Sequence, residues 1–370
     1  MSTLGSSRPV TLKQVASAAG VSYSTAGLVL NGRGNQVGVK KETQQAILEA
    51  ARRLGYNPSS IARGLSGKRT QTIGILWSGG TPGLSTPISR LFAREAIQRG
   101  YNAHMVESFS DPQIIKATLR QFQQQRIDGV IIQLHFQSQD TWNELLTDKN
   151  LPALIRTFPA AVVAGNKLLH PTIDQVLQPI GEELGQALDH LATLGPIKPA
   201  FAGDLGTNPE KLSELIVQLK KRGYPEKSLL KFNCPIPGRQ SPDIPWATLI
   251  DDLAMKIKAA ECNLVICSSD ELAAPLMLHL QAMGINIPQQ IRIIGYNNLP
   301  LCEYLQPSLT SIDRDYPRVV QAACSLLFNR LEKGSDLPPA TITVPSCLFL
   351  RASTGLPSPA KQDKAGRPSK

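Results

Sequence analysis

Hydrophobic positions change rhythm near residue 70. Before it, apolar residues recur at helical spacing: Leu12, Val15, Ala16 and Ala19 share one face. Thr11 with Gln14 three residues on forms a capping box, and Gly20 suits a helix end. Ser22 can cap a second helix with Ala26, Val29 and Leu30 inward. A third helix is expected over 41–54, with Ile47, Ala50, Ala51 and Leu54 inward and Gly55 as its stop. From Thr72 the pattern alternates. Short apolar runs predict strands over 72–77, 103–106, 129–133, 153–156, 199–202, 263–267, 292–295 and 340–345. Amphipathic stretches predict helices over 88–99, 112–125, 180–194, 209–222, 271–283 and 317–333. Such alternation builds parallel sheets covered by helices. The strands are too many for one small sheet, so two subdomains with a cleft are expected. Ligands in such sheets bind beyond strand carboxyl ends, which directs attention to the loops after Trp77, Arg156, Cys267 and Gly295.

The second helix has an outer face of Tyr23, Ser24, Thr25, Gly27 and Leu28, which is poor core material. A helix of that size enters the DNA major groove. An ordinary helical hairpin packed on a larger domain is the competing reading, and the charge distribution weighs against it. The chain of 370 residues carries a formal charge of +10. Residues 1–70 alone hold +8 and residues 356–370 hold +3, which leaves the middle near neutral. A basic head on a neutral body points to a polyanion at the head.

Residues 59–68 follow Pro58 and contain Gly64 and Gly67, so a helix there would be weak alone. Two readings stand for Leu65: a wedge into a minor groove, or packing on its own module. The start of the chain lacks the apolar core of a signal peptide, and no stretch is apolar enough to span a bilayer. Six scattered cysteines and five isolated histidines suggest buried thiols and no metal site. No nucleophile elbow, P-loop or dinucleotide fingerprint follows a strand, so an enzyme is not expected. The Pro/Ser/Lys tail from 355 to 370 is expected to be disordered.

Several stretches resemble one known family. These are the run from Val10 to Thr25, Leu30-Asn-Gly, Ala50-Ala-Arg-Arg-Leu-Gly-Tyr-Asn-Pro, Ala62-Arg-Gly-Leu, Arg126-Ile-Asp-Gly-Val, Ser269-Asp-Glu-Leu-Ala, Ile294-Gly-Tyr and Arg351-Ala-Ser-Thr. They resemble the lactose-repressor (LacI/GalR) family of transcription regulators. The resemblance implies an N-terminal all-α helix-turn-helix head plus an α/β body. That body would consist of two Rossmann-like parallel-sheet subdomains of periplasmic-binding-protein type. It places the head at 1–57, a hinge helix or linker at 58–70 and the body at 71–354. Subdomain one is expected at about 71–158 and 297–325, subdomain two at about 159–296 and 326–354. It implies a cytoplasmic homodimer, most simply a repressor, reading a near-palindromic double-stranded operator. A small-molecule effector between the subdomains would tune DNA affinity, with no other cofactor. The alternative is a regulator with altered control that responds to a protein or a non-sugar ligand.

The residues expected at DNA are Thr11, Ser22, Tyr23, Ser24, Thr25, Leu28, Asn31, Tyr56, Ala62, Leu65 and Lys68. Those expected at the effector are Trp77, Arg156, Ser269, Asp270, Tyr296 and Asn297. Trp77 reads equally as a core aromatic, and Asp270 equally as a helix cap. The departures from the family pattern are specific. Leu28 stands where an arginine usually reads guanine, so apolar contact replaces a bidentate pair. Pro82-Gly83-Leu84 lacks the usual stacking aromatic, and Asn297-Asn298 replaces a carboxylate pair. An arginine common after the strand ending at Gly203 is replaced by Lys211 or Ser213. The loop after Gly34 is a few residues longer than usual.

Overall fold

The computed structural model describes residues 10–30, 32–56, 69–77, 82–108, 111–134, 150–166, 170–205, 209–234, 245–334 and 337–355. It falls into two units, Met1–Thr70 and Gln71–Lys370. Asn31, Ala62, Leu65 and Lys68, the hinge from 58 to 68 and the tail beyond 355 lie outside the described residues.

The head contains α1 (Leu12–Ala18), α2 (Tyr23–Leu30) and α3 (Lys41–Leu54). Thr11 and Gln14 form the expected reciprocal cap, with Thr11 N–H on Gln14 Oε1 at 2.8 Å. Gly20 and Gly55 take left-handed backbone at φ +65° and +67°, which ends α1 and α3. Val15, Ala16, Ala26, Val29, Ile47, Ala50 and Ala51 are buried together as the core of the unit.

The body carries two six-stranded sheets. Sheet one uses β1 (Thr72–Trp77), β2 (Asn102–Glu107), β3 (Gly129–Leu134), β4 (Ala160–Gly165), β5 (Asp174–Leu177) and β11 (Thr341–Thr343). Its order is β11-β5-β4-β3-β1-β2 and every pair is parallel. Sheet two uses β6 (Pro199–Gly203), β7 (Leu230–Asn233), β8 (Leu264–Cys267), β9 (Arg292–Tyr296), β10 (Thr310–Asp313) and β12 (Cys347–Phe349). Its order is β12-β10-β9-β8-β6-β7, with only β12 antiparallel. The body helices are α4 (Pro82–Gln98), α5 (Pro112–Gln124), α6 (Asn150–Ile155), α7 (Glu182–Ala192), α8 (Pro209–Lys221), α9 (Trp246–Ala259), α10 (Asp270–Ala282), α11 (Leu301–Tyr304) and α12 (Tyr316–Lys333).

The chain passes between the sheets after β5, β10 and β11, and the three crossings are tied together. Gln178 Nε2 donates to Arg314 O at 2.7 Å, and Val344 N–H to Leu177 O at 2.8 Å. Ser346 Oγ reaches Pro179 O at 3.5 Å.

This arrangement corrects several expectations. Residues 153–156 are helical; the strand is Ala160–Gly165. The expected boundary at 158/159 is displaced, because β4 and β5 both pair within sheet one. β10 belongs to sheet two, whereas α12 packs whole on sheet one. Apolar runs mark strands but do not mark which sheet a strand joins, since that choice depends on tertiary pairing. Helix α4 begins well before residue 88, and β7, β10 and α9 add elements the periodicity did not single out. Cys347 is exposed on the edge strand, unlike the other five thiols. No helix among the described residues is long and apolar enough to cross a membrane.

Candidate nucleic-acid interface and effector cleft

In the head, the second helix begins at a cluster of hydroxyls. Ser22 Oγ accepts the Thr25 N–H at 3.1 Å and lies 2.8 Å from Thr25 Oγ1 and 3.0 Å from Ser24 Oγ. This cap is the reason α2 starts at Tyr23. Tyr23 is 62% exposed, an unusual place for an aromatic ring without a partner surface. Tyr56, just past α3, is half-buried; burial raises its pKa and the nearby Tyr23 adds to the shift. The structure therefore brings Ser22, Tyr23, Ser24, Thr25 and Tyr56 together. Leu28 is half-buried, five residues along α2 from Tyr23. Thr11 is spent on capping α1.

The long loop before α3 folds onto Gln44, whose Nε2 donates to Val39 O at 2.7 Å and Asn35 Oδ1 at 2.9 Å. A Cβ on Gly34 would come within 2.6 Å of that side chain. Helix α3 then starts at Lys40 and Lys41 with no side-chain cap. Cations at a helix N-terminus oppose the macrodipole, and Glu42 in the same turn offsets them.

In the body, polar groups gather where the strands end. Lys211 of α8 is buried, donates to Ser268 O at 2.6 Å, and holds its ammonium 4.7 Å from the Tyr296 ring centre. Burial pulls its pKa down to about 8; Glu210 and Asp270 pull the other way, while Arg314 adds to the lowering. Of the two residues weighed against the family arginine, Ser213 is exposed and Lys211 is buried. Arg314, 1% exposed, lies 5.9 Å from the Tyr316 ring, and Tyr316 meets Trp77 edge-on at 6.0 Å. Trp77 also packs edge-on against Phe92, so it is a core aromatic at the cleft end of β1.

Three buried oxygens have no hydrogen-bond partner among the described residues: Ser85 Oγ, Asn166 Oδ1 and Gln178 Oε1. They follow β1, β4 and β5 respectively, all at carboxyl ends of sheet one. A buried unsatisfied polar atom is costly, and a ligand is one remedy.

The comparisons agree with this geometry. Residues 11–59 match bacterial regulatory proteins of the lacI family, and residues 188–354 match a periplasmic-binding-protein-like domain. The head is thus of the lacI family, and the C-terminal part of the body is periplasmic-binding-protein-like. Among its relatives, the HTH-type transcriptional repressor PurR of Histophilus somni is 25% identical, over 88% of this chain and 94% of that protein. PurR of Vibrio cholerae serotype O1 is 26% identical, over 87% and 91%. Among solved structures, the lac repressor dimer bound to operator and the anti-inducer ONPF superposes with a TM-score of 0.75 at 21% identity. That match covers 94% of this chain and 99% of that one. A lacI-family regulator from Silicibacter pomeroyi gives the same TM-score and identity, with the same coverage. These likenesses establish the fold.

Against the family pattern, the structure reassigns several effector candidates. Arg156 is exposed at the end of α6, where its Nε donates to Pro152 O at 3.1 Å. Its placement beyond a strand rested on a strand that is a helix. Ser269 caps α10 through the Leu272 N–H at 3.3 Å. Asp270 is fully buried and holds the chain after β9, accepting from Leu299 N at 2.8 Å and Ser311 Oγ at 2.6 Å. Asn297 has φ +98° and donates its N–H to Ile312 O at 2.8 Å. Asn298 accepts from Arg351 Nη2 at 2.7 Å and donates to Asp313 at 3.2 Å. Tyr296 is buried in the core of sheet two, with the Lys211 ammonium over its ring. Ser85, Asn166, Gln178 and Arg314 were missed because the sequence does not show which strand ends face each other. Asn166 could have been found, since it ends the apolar run from 160.

Asp270 carries a pH prediction. Burial raises its pKa from 3.8 to about 6, against the bonds from Ser311 and Leu299. A raised carboxyl pKa adds stability that is full below pH 3.8 and is lost as pH rises through about 6. Asp270→Asn should remove that slope, flattening the body's stability difference between pH 4 and 7 by roughly 2–3 kcal/mol. Urea unfolding at several pH values reads this. An unchanged slope in the variant would place the titration elsewhere.

Proposed function

We propose that this chain is a homodimeric lacI-family repressor in the cytoplasm that reads a near-palindromic operator through α2, with affinity set by a small molecule in the body's cleft. The observation that carries the DNA half is the exposed, capped face of Ser22, Tyr23, Ser24 and Thr25 on a unit of charge +8. A short polar helix face with an unpartnered tyrosine suits base edges and phosphates. Leu28 would add apolar contact to a thymine methyl rather than grip guanine. Asn31, Ala62, Leu65 and Lys68 complete the proposed surface from sequence alone. The named relatives are PurR repressors and one structural neighbour is a repressor bound to operator.

For the homodimer, Met255, Leu278 and Tyr304 on α9, α10 and α11 are exposed apolar side chains. Met255 and Leu278 lie on the two helices that the Asp251–His279 pair, 3.0 Å apart, joins. A two-fold partner supplies a reason for such side chains at the surface.

For the effector, the three unpartnered oxygens call for a ligand rich in hydrogen-bond donors, and Lys211 supplies a cation beside an aromatic ring. Asp270, and Asn298 in place of a carboxylate, have polar atoms committed to the protein, which favours a ligand other than a simple sugar. Linkage limits the response to the effector's differential affinity for the body's arrangements.

Selection of bound sites from random duplex DNA tests the reading, using full-length protein and Leu28→Arg. The expected result is a palindrome of one to two helical turns whose preferred base changes at one position per half-site, a discrimination of about 5- to 150-fold. Salt-sensitive binding without a consensus would overturn sequence-specific reading.

A further inference from the structure

Helix α4 opens directly after β1 and has no acidic residue in its first turn. The first N–H groups of a helix have no partner within it and favour a negative charge. Here the charge comes from the other subdomain. The Gly83 N–H donates to Glu271 Oε1 at 2.7 Å, and Glu271 stands in the first turn of α10, on sheet two. The approach is close: a Cβ on Gly83 would fall 2.5 Å from Glu271 Oε1 and 3.4 Å from Leu299 Cδ1. In this geometry a side chain at residue 83 would push the carboxylate away from that amide. Its neighbours brace it. Asp270, one residue before, holds the Leu299 N–H, and Leu299 is buried in the apolar cluster of sheet one although it follows β9 of sheet two. Glu271 is half-buried, and burial raises its pKa while the Gly83 N–H lowers it.

We propose that Glu271 is a latch between the two sheets of the body, capping α4 from α10 so that separating the sheets breaks the cap. The hinge crossings at 178–181, 314–315 and 344–346 join the sheets through the chain itself. The Glu271–Gly83 contact joins them through a side chain far from those crossings in sequence. Any rotation about the hinge that draws α10 from α4 strips a charged acceptor from the start of a 17-residue helix. Glu271 therefore weights the equilibrium between closed and open bodies. An effector that works by closing the cleft inherits that weighting, a consequence that rests on the regulator reading above.

Hydrogen exchange on the full-length protein tests the latch without DNA. Glu271→Ala should speed exchange at the Gly83 amide by roughly five- to tenfold, the loss expected for a missing N-cap. Glu271→Gln keeps an acceptor and should fall between wild type and alanine. Gly83→Ala should reproduce the fast exchange in the wild-type background and add little in the Glu271→Ala background, because its clash is with the carboxylate. Small-angle scattering should show the wider body in Glu271→Ala, with far-ultraviolet circular dichroism unchanged. Equal exchange at Gly83 in wild type and Glu271→Ala, or a Gly83→Ala effect undiminished without Glu271, would overturn the latch. Operator affinity, measured alongside, reports separately. Lost latch behaviour with intact operator binding sinks this inference alone, and absent operator binding in the wild type sinks the regulator reading alone.

Discussion

Arg330→Ala should cost the body about 3–5 kcal/mol in urea unfolding, the range for stranding one member of a buried ion pair. Arg330 lies on α12 and Asp174 on β5, with their side chains 14% and 3% exposed. The guanidinium forks onto both carboxylate oxygens, Nη2 reaching Oδ1 at 2.8 Å. Asp174 Oδ1 also takes the Ala340 N–H at 2.8 Å, and Arg330 donates to Leu337 O at 3.0 Å and Pro338 O at 3.2 Å. One pair thus fastens a helix, the strand next to the sheet edge and the approach to β11. Removing the cation leaves Asp174 charged in a site that water barely reaches. Pairing Arg330→Leu with Asp174→Asn should recover part of the loss, because no uncompensated charge remains. A single variant within 1 kcal/mol of wild type would mean that water enters and solvates Asp174.

Ile47→Ala should unfold the head while the body stays folded. Ile47 is fully buried at the centre of the head's small core, among Val15, Ala26 and Val29. An isoleucine truncated in such a site costs about 2–5 kcal/mol. A unit of this size has only a few kcal/mol in total, so the substitution consumes most of its stability. Calorimetry of the full chain should lose or lower the head transition and leave the body transition in place. Operator affinity should fall at least about tenfold through the lost folded population. A head transition within a few degrees of wild type would show that neighbouring side chains collapse into the space.

Much of the head was legible because its determinants are local. The Thr11–Gln14 box, the stop at Gly20, the Ser22 cap and the inward Val15, Ala16, Ala26 and Val29 all act within one or two helical turns. Those are the ranges over which residue spacing carries information. The body's alternation was legible for the same reason. The strand at 153–156 failed because Leu151 and Ile155 bury one face of a short helix, while the alanine- and valine-rich run from 160 forms the strand.

The candidate site divides the same way. Lys211 and Tyr296 were visible as departures or matches within a motif. Asp270, Asn298 and Arg351 also stood in motifs, yet each is committed to a partner 13 or more residues away. By itself, the sequence determined the helices of the head, the surface α2 presents, the alternating architecture and the family, because these follow from local periodicity and motif. Tertiary structure alone decided which strands share a sheet, which polar atoms stay unpartnered in the cleft, and that Glu271 caps a helix 188 residues away. Those depend on contacts between segments distant in the chain, which no local pattern encodes.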